Sequence, residues 1–269
     1  MKSIKSIFGY LFITALFFSY ACSNEGTNKE SDEKLDPEST IVVPVTEFNP
    51  AEYSKNAEDN KWEKLTLPKK DNTEYTLVTD GDEPHIKAVS KNSASGWKYK
   101  VDIDPKEYPI IEWRWKVDAV LENGDMTEKD GDDYAARIYI TYEYDRKDLP
   151  LGERIKYGSM KTFTDFDIPL RSMNYVWANV ADTGTVQENV YTNWVNMIAV
   201  ESGDAKTGEW ITSTANVYDT FKDAFDEEPR NITGVAIMTD SDNSGGSATA
   251  YYGDIIFKKA PEKESSEKE

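Results

Sequence analysis

One pattern recurs along this chain: short segments in which apolar and polar residues alternate, separated by Gly, Asp and Asn. In "IIEWRWKVDAV" (110–120), Ile111, Trp113, Trp115 and Val117 fall on one face and Glu112, Arg114, Lys116 and Asp118 on the other. In "YAARIYITYEY" (134–144), Ala136, Ile138, Ile140 and Tyr142 oppose Arg137, Tyr139 and Thr141. "YVWANV", "WVNMIAVES", "ITGVAIMTD" and "ATAYYGDIIF" follow the same rule. Successive side chains of a strand point to opposite faces, so a period of two marks strands with one buried side. Repeated through many short segments, it predicts an all-β fold, an antiparallel β-sandwich of jelly-roll type. One or two short helices interrupt it. "TANVYDTFKDAFDEE" puts Val217, Phe221, Ala224 and Phe225 on one helical face, and "LPLGERIKYG" carries a weaker helical pattern.

The ends differ from this middle. Lys2 and Lys5 precede an apolar run from Ile7 to Phe18, and "SYAC" leads to Cys22. That is the layout of a secretory signal, with a run too short to favour a permanent span. Cys22 is the only cysteine and stands where a bacterial lipoprotein leader is cut and acylated, although Ser19 replaces the usual leucine. The expectation is a leader over 1–21, a lipid on Cys22, and a disordered polar tether over 22–40. A single sandwich domain then runs over 41–259, and a disordered acidic tail over 260–269. The protein would be anchored to a membrane of the cell envelope.

Composition closes off several chemistries. With Cys22 acylated, the domain has no disulfide, thiol nucleophile or cysteine-bound metal. His85 is the only histidine, which excludes multi-histidine zinc sites and leaves a catalytic triad one residue to use. Fifty acidic residues against 31 basic ones give a formal net charge of −19. A field of that sign repels phosphate backbones, so nucleic acid is not an expected partner. Sixteen tyrosines and seven tryptophans suit both sheet cores and sugar-facing surfaces.

Three constellations are candidates for a site. "MTDSDNSGG" (238–246) begins like an EF-hand loop at Asp240, Asp242, Ser244 and Gly245, but Tyr251 stands where the bidentate glutamate belongs. A looser calcium site survives, with Asp240 and Asp242 joined by Asp132 or Asp133. The plain alternative is a turn joining two strands as a hairpin. "DGDDYAAR" (130–137) places three aspartates ahead of Arg137, which sits mid-strand among aromatic residues and needs a partner or a groove. The third is aromatic: Trp113, Trp115, Trp177, Trp194, Tyr139, Tyr175 and Tyr252, most of which must be core. There is no nucleophile elbow, no phosphate-binding glycine loop, and no ExDxE run of the kind found in jelly-roll glucan hydrolases.

Taken in order, "IEWRWKV", "KDGDDYAARIYITYEY", "NYVWAN", "VESGDAKTGEW", "NVYDTFKDAF" and "ITGVAIMTDSDNSGGSATAYYGDIIF" resemble the blocks of a bacterial family, domain of unknown function 3047, from about Glu47 to Phe257. The resemblance implies an exported protein without an established activity, so it transfers a location and no roles. Its blocks gather polar and aromatic residues at Trp113, Trp115 and Lys116; at Asp132, Asp133 and Arg137; at Tyr175 and Trp177; and at Asp240, Asp242, Asn243, Tyr252, Gly253 and Asp254. Asp226, at the end of the predicted helix, departs from the glycine expected there.

The sequence thus points first to a non-catalytic module that binds a glycan or similar ligand. Arg137, Trp177, Tyr139, Tyr252, Lys116, Asp133 and Asn243 form the candidate ligand set, with Trp177 and Arg137 lining a groove rimmed by the 240–243 loop. Asp240, Asp242 and Asp132 form the candidate calcium set; no other cofactor is called for. The alternatives are a polysaccharide hydrolase or lyase using the same carboxylates, and a structural envelope protein.

Overall fold

The computed structural model describes residues 36–54, 60–79, 81, 83–163 and 169–261. The expected leader, Cys22, most of the tether and nearly all of the tail lie outside the described residues. Fifteen elements follow in order: β1 (Thr40–Val43), β2 (Trp62–Thr66), β3 (Glu74–Val78), β4 (His85–Lys91), β5 (Ala94–Ile103), β6 (Ile110–Val117), β7 (Arg137–Tyr142), α1 (Leu151–Phe163), β8 (Ser172–Ala178), β9 (Val186–Asn189), β10 (Thr192–Ser202), β11 (Ile211–Asn216), α2 (Val217–Phe225), β12 (Ile232–Asp240) and β13 (Ser247–Lys258).

The strands form a β-sandwich of jelly-roll type. One sheet runs β11-β6-β13-β4-β3, with β1 added to β13; the other runs β2-β5-β12-β7-β8-β10-β9. Pairing is antiparallel except between β8 and β10, which run parallel. Alternation assigns the inner faces correctly: β6 buries Ile111, Trp113, Trp115 and Val117, and β7 buries Ile138, Ile140 and Tyr142. Rings meet across the gap, Trp113 with Tyr175 at 5.4 Å and Trp115 with Trp177 at 5.7 Å. Each such pair contributes about 0.5–1.5 kcal/mol beyond the area it buries.

Parity slips once on β13, where a bulge falls between Tyr252 and Ile255. Tyr252, Ile255 and Phe257 all point inward as a result, and Asp254 turns out to accept the Val45 N–H at 2.8 Å. Both predicted helices are present. Asn216 caps α2 by accepting from the N–H groups of Tyr218 and Asp219, and Phe221 packs on Tyr142 with centroids 4.4 Å apart. Asp226 takes the left-handed cap position at φ 54°, the place where a glycine would be unstrained.

The stretch 238–246 does not make a hairpin. β12 ends at Asp240 in the seven-stranded sheet and β13 begins at Ser247 in the other. The reason is edge availability: β5 and β7 already occupy both edges of β12, so the chain after it must leave the sheet. Gly245 and Gly246, at φ 70° and 116°, supply the turn chemistry, but for a crossover between layers. Hydroxyl groups pin its start: Tyr252 Oη donates to the Met238 carbonyl at 2.7 Å, and Ser90 and Ser241 hydroxyls meet at 2.7 Å.

Candidate functional site

The outer face of the seven-stranded sheet carries a cleft of about 810 Å³, within the range of small-ligand sites. Its floor is low because small residues stand on the central strands: Gly96 on β5 and Ala236 on β12. A Cβ on Gly96 would meet the Ile237 carbonyl oxygen at 2.6 Å. Leu65, Leu67, Pro68 and Lys70 form one wall, Tyr144, Tyr157 and Leu170 another, and Asn189 and Tyr191 close the side near β9. α1 contributes Tyr157, which packs on Trp194 with centroids 5.7 Å apart.

The polar end of the cleft is built by β7 and by the chain on either side of it. Arg137 opens β7 on the outward parity and yet is only 3% exposed. Its guanidinium pairs with Asp240, stands 3.8 Å from Asp132 Oδ1, and lies over the rings of Tyr134 and Tyr139 at 4.9 and 5.6 Å. Asp132 Oδ2 accepts from Asn189 Nδ2 at 3.2 Å. Two atoms here, Arg137 Nε and Asp132 Oδ1, are buried without a hydrogen-bond partner among the described residues. Burial pushes the Asp132 carboxyl above the ordinary carboxylate range, against the pull of Arg137 and Asn189. Burial likewise raises the Tyr139 hydroxyl, opposed by Arg137, and lowers the Lys98 ammonium.

Just behind, Asp133 organises the crossover. Its Oδ2 accepts from the N–H of Asn243 at 2.9 Å, the N–H of Ser244 at 2.6 Å and the Ser244 hydroxyl at 2.7 Å. Asn179 Nδ2 holds the Asp133 carbonyl at 2.9 Å. Asp242 pairs with Lys70 from across the cleft.

The residues singled out from sequence therefore divide. Arg137, Tyr139 and Asn243 line the cleft together with Asp132, Asp240 and Asp242, and Asp133 supports Asn243 from behind. Trp177 does not line it. The indole is fully buried on the inner face, donating to the Gly203 carbonyl at 3.0 Å, because β8 alternates with Tyr175 and Trp177 inward. Tyr252 is also interior, its hydroxyl held by Met238 and Thr239. Lys116 lies on the outer face of the opposite sheet, 4.1 Å from the Tyr251 ring centroid. In the carboxylate cluster it is Asp133, rather than Asp132, that joins Asp240 and Asp242; Asp132 turns toward Arg137 and Asn189. Sequence reasoning missed Lys70, Lys98, Tyr144, Tyr157, Asn189 and Tyr191. Only Lys98 had a signal, its parity opposite Trp97 and Tyr99; the others come from connections and a helix that alternation does not reach.

No curated protein matches the chain. Solved structures similar to it include the family 11 carbohydrate-binding module from Clostridium thermocellum in complex with a β-1,3-1,4-mixed-linked tetrasaccharide (TM-score 0.37, 10% identity, covering 78% of this chain and 96% of that chain). A family 30 carbohydrate-binding module is similar with a TM-score of 0.34, 13% identity, and 78% and 84% coverage. The xyloglucanase domain of NopAA, a type three effector from Sinorhizobium fredii, in complex with cellobiose, is similar at 0.40, 8%, 74% and 93%. The family model described as protein of unknown function DUF3047 matches residues 60–256, and the chain belongs to that family.

Proposed function

We propose that the protein is a non-catalytic binding module of the cell envelope, lipid-anchored through Cys22, whose cleft on the seven-stranded sheet takes a glycan. One observation carries this reading. At its polar end the cleft gathers Asp132, Asp240 and Asp242 with Arg137 and Lys70, beside a trough walled by Tyr139, Tyr144, Tyr157 and Tyr191. A sugar hydroxyl both donates and accepts, and a pyranose ring presents apolar C–H faces to aromatic rings. Asn243 and Lys98 at the margins add adaptable donors.

Affinity electrophoresis and calorimetry against a panel of neutral and acidic envelope and plant polysaccharides test the proposal. At least one polysaccharide is expected to bind, with Tyr139→Ala and Asn243→Ala each weakening it ten-fold or more. Absence of binding to every polysaccharide, or binding untouched by both substitutions, would overturn it. The anchor is tested separately: Cys22→Ser is expected to abolish incorporation of labelled fatty acid and to move the protein out of the detergent phase.

A second reading, an enzyme that cleaves polysaccharide, has one observation in its favour. Asp132, a carboxyl with raised affinity for its proton, shares the cleft with the carboxylates of Asp240 and Asp242, the pairing of unlike acids that general acid catalysis uses. New reducing ends or unsaturated products that vanish in Asp132→Asn would favour it over simple binding.

A further inference from the structure

Behind the polar end of the cleft, the chain before β7 and the crossover after β12 bring three carboxylates together. Asp133, Asp240 and Asp242 each place a carboxylate oxygen within 4.8 Å of the other two. Oxygens on opposite sides of one calcium ion, each about 2.3–2.6 Å from it, stand about 4.6–5.2 Å apart, so a single ion spans this cluster. The burial is deep: Asp133 is 0% exposed and Asp240 1%, and the Asp242 side chain is 6% exposed.

A second observation is independent of that proximity. Three donors saturate Asp133 Oδ2, while Oδ1 of the same fully buried side chain has no hydrogen-bond partner among the described residues. Local charge says the same. Four carboxylates, Asp132, Asp133, Asp240 and Asp242, face two cations, Arg137 and Lys70, which leaves two negative charges in excess. Buried carboxylates without compensation are strongly disfavoured, and one divalent cation neutralises this excess. The donor set is oxygen only, with the side chains of Asn243 and Ser244 alongside, which selects a hard cation and excludes copper and structural zinc. Calcium accepts such irregular oxygen sets, whereas magnesium demands a near-octahedral shell.

We propose that Asp133, Asp240 and Asp242 form a calcium site that ties the crossover after β12 to the segment before β7. The ion sits behind the cleft and fixes Asn243 and the Arg137–Asp240 pair, so the site stands whether or not a glycan is the ligand. Lys70 competes with the ion for Asp242. Its side chain is 37% exposed, free enough to yield an Asp242 oxygen to the ion while staying beside the cluster as its second cation.

Calorimetric titration with calcium chloride, and thermal unfolding with calcium or chelator, on the purified protein in about 0.15 M salt to screen the acidic surface, test this. Calcium is expected to bind with a one-to-one component and to raise Tm saturably, with magnesium giving a clearly smaller shift at equal concentration. Lys70→Ala is expected to tighten calcium binding at least three-fold. Asp133→Asn keeps an oxygen for the crossover N–H groups; it is expected to abolish the calcium response and to raise the Tm of the calcium-free protein, since it removes a buried uncompensated charge. Asp242→Asn, less buried, is expected to lose the response as well and serves if Asp133→Asn fails to fold. No calcium-dependent heat or Tm shift in the wild type at millimolar calcium would overturn the proposal. So would a wild-type response in both aspartate variants, the signature of diffuse binding to the acidic surface.

Discussion

The two sheets present outer faces built by the same alternation, and the faces could hardly differ more. On the six-stranded sheet, Lys87, Tyr251 and Lys116 stand side by side on β4, β13 and β6, with Trp210 laid over Arg114 at 4.5 Å. Lys116 lies over Tyr251 at 4.1 Å, Arg114 pairs with Glu83, and the Tyr251 hydroxyl reaches Asp118 at 3.3 Å. All of these side chains keep contact with water. On the seven-stranded sheet, Arg137 on β7 and Asp240 on β12 occupy the equivalent outward positions and are buried. Strand geometry does not cause the difference. The segment 121–135 and α1 lie over β8 and β10, with Met126 and Tyr134 packed on Val176 and Met197 and with Trp194 covered by Leu149 and Tyr157. A strand decides which way a side chain points; what lies on top decides what its charge is worth.

The largest effect separating the faces is expected from arginine removal in calcium-free protein. Arg137→Ala leaves Asp240 and Asp132 buried without their cation and is expected to destabilise by about 3–5 kcal/mol. Arg114→Ala, on the open face, is expected to lose at most about 1 kcal/mol, since its partners are solvated. Urea unfolding of both variants measures the contrast. Equal losses would mean that the buried cluster is no more dependent on its cation than the wet surface is.

Acid titration separates buried from exposed carboxyls by sign. Burial holds Asp132 above its unfolded value of 3.8, so the folded state takes up its proton first and this group adds stability as pH falls through the folded value. Glu228 is exposed. A hydrogen bond from Lys222, then one from Tyr218, draws it down from 4.5 to about 2, so its contribution is present above 4.5 and is lost as pH falls toward 2. Asp132→Asn is therefore expected to steepen the acid limb of the stability curve and Glu228→Gln to flatten it, read as urea midpoints between pH 2.5 and 7. Limbs shifted in the same direction would contradict the opposite assignment of the two groups.

The same distinction explains what the sequence disclosed. Period two named the inner faces of β6 and β7 residue by residue, because burial on one side of a strand is a local property. It also brought Arg137, Tyr139 and the 240–243 segment toward one another, since outward parity and a run of aspartates are visible without a fold. It did not show that the crossover changes sheets, because "DNSGG" encodes a turn and says nothing about which edges of β12 are taken. Trp177 was misplaced for a related reason: a tryptophan suits a sugar platform and a core equally, and parity within "NYVWAN" was outweighed by the chemistry of the ring. Tyr144, Tyr157, Tyr191 and Lys70 were invisible, since each reaches the cleft from a connection or helix whose path is set by packing between distant segments.

The smallest effect probes the open face itself. Lys116 enters no ion pair among the described residues and lies over two rings, Tyr251 at 4.1 Å and Trp210 at 5.5 Å. An exposed cation over an aromatic face contributes about 0.5–1 kcal/mol. Lys116→Met keeps most of the stem that covers the rings and removes only the charge, so the loss is expected to stay within that amount and to leave binding in the cleft unchanged. Charge is also what salt screens there. The difference between wild type and Lys116→Met, followed by urea unfolding, is expected to shrink as salt rises from about 0.02 to about 1 M, while the Arg137→Ala loss keeps most of its size because its partners are shielded from ions. A Lys116→Met loss as large as that of Arg137→Ala, or one indifferent to salt, would show that the six-stranded sheet hides a buried electrostatic site of its own.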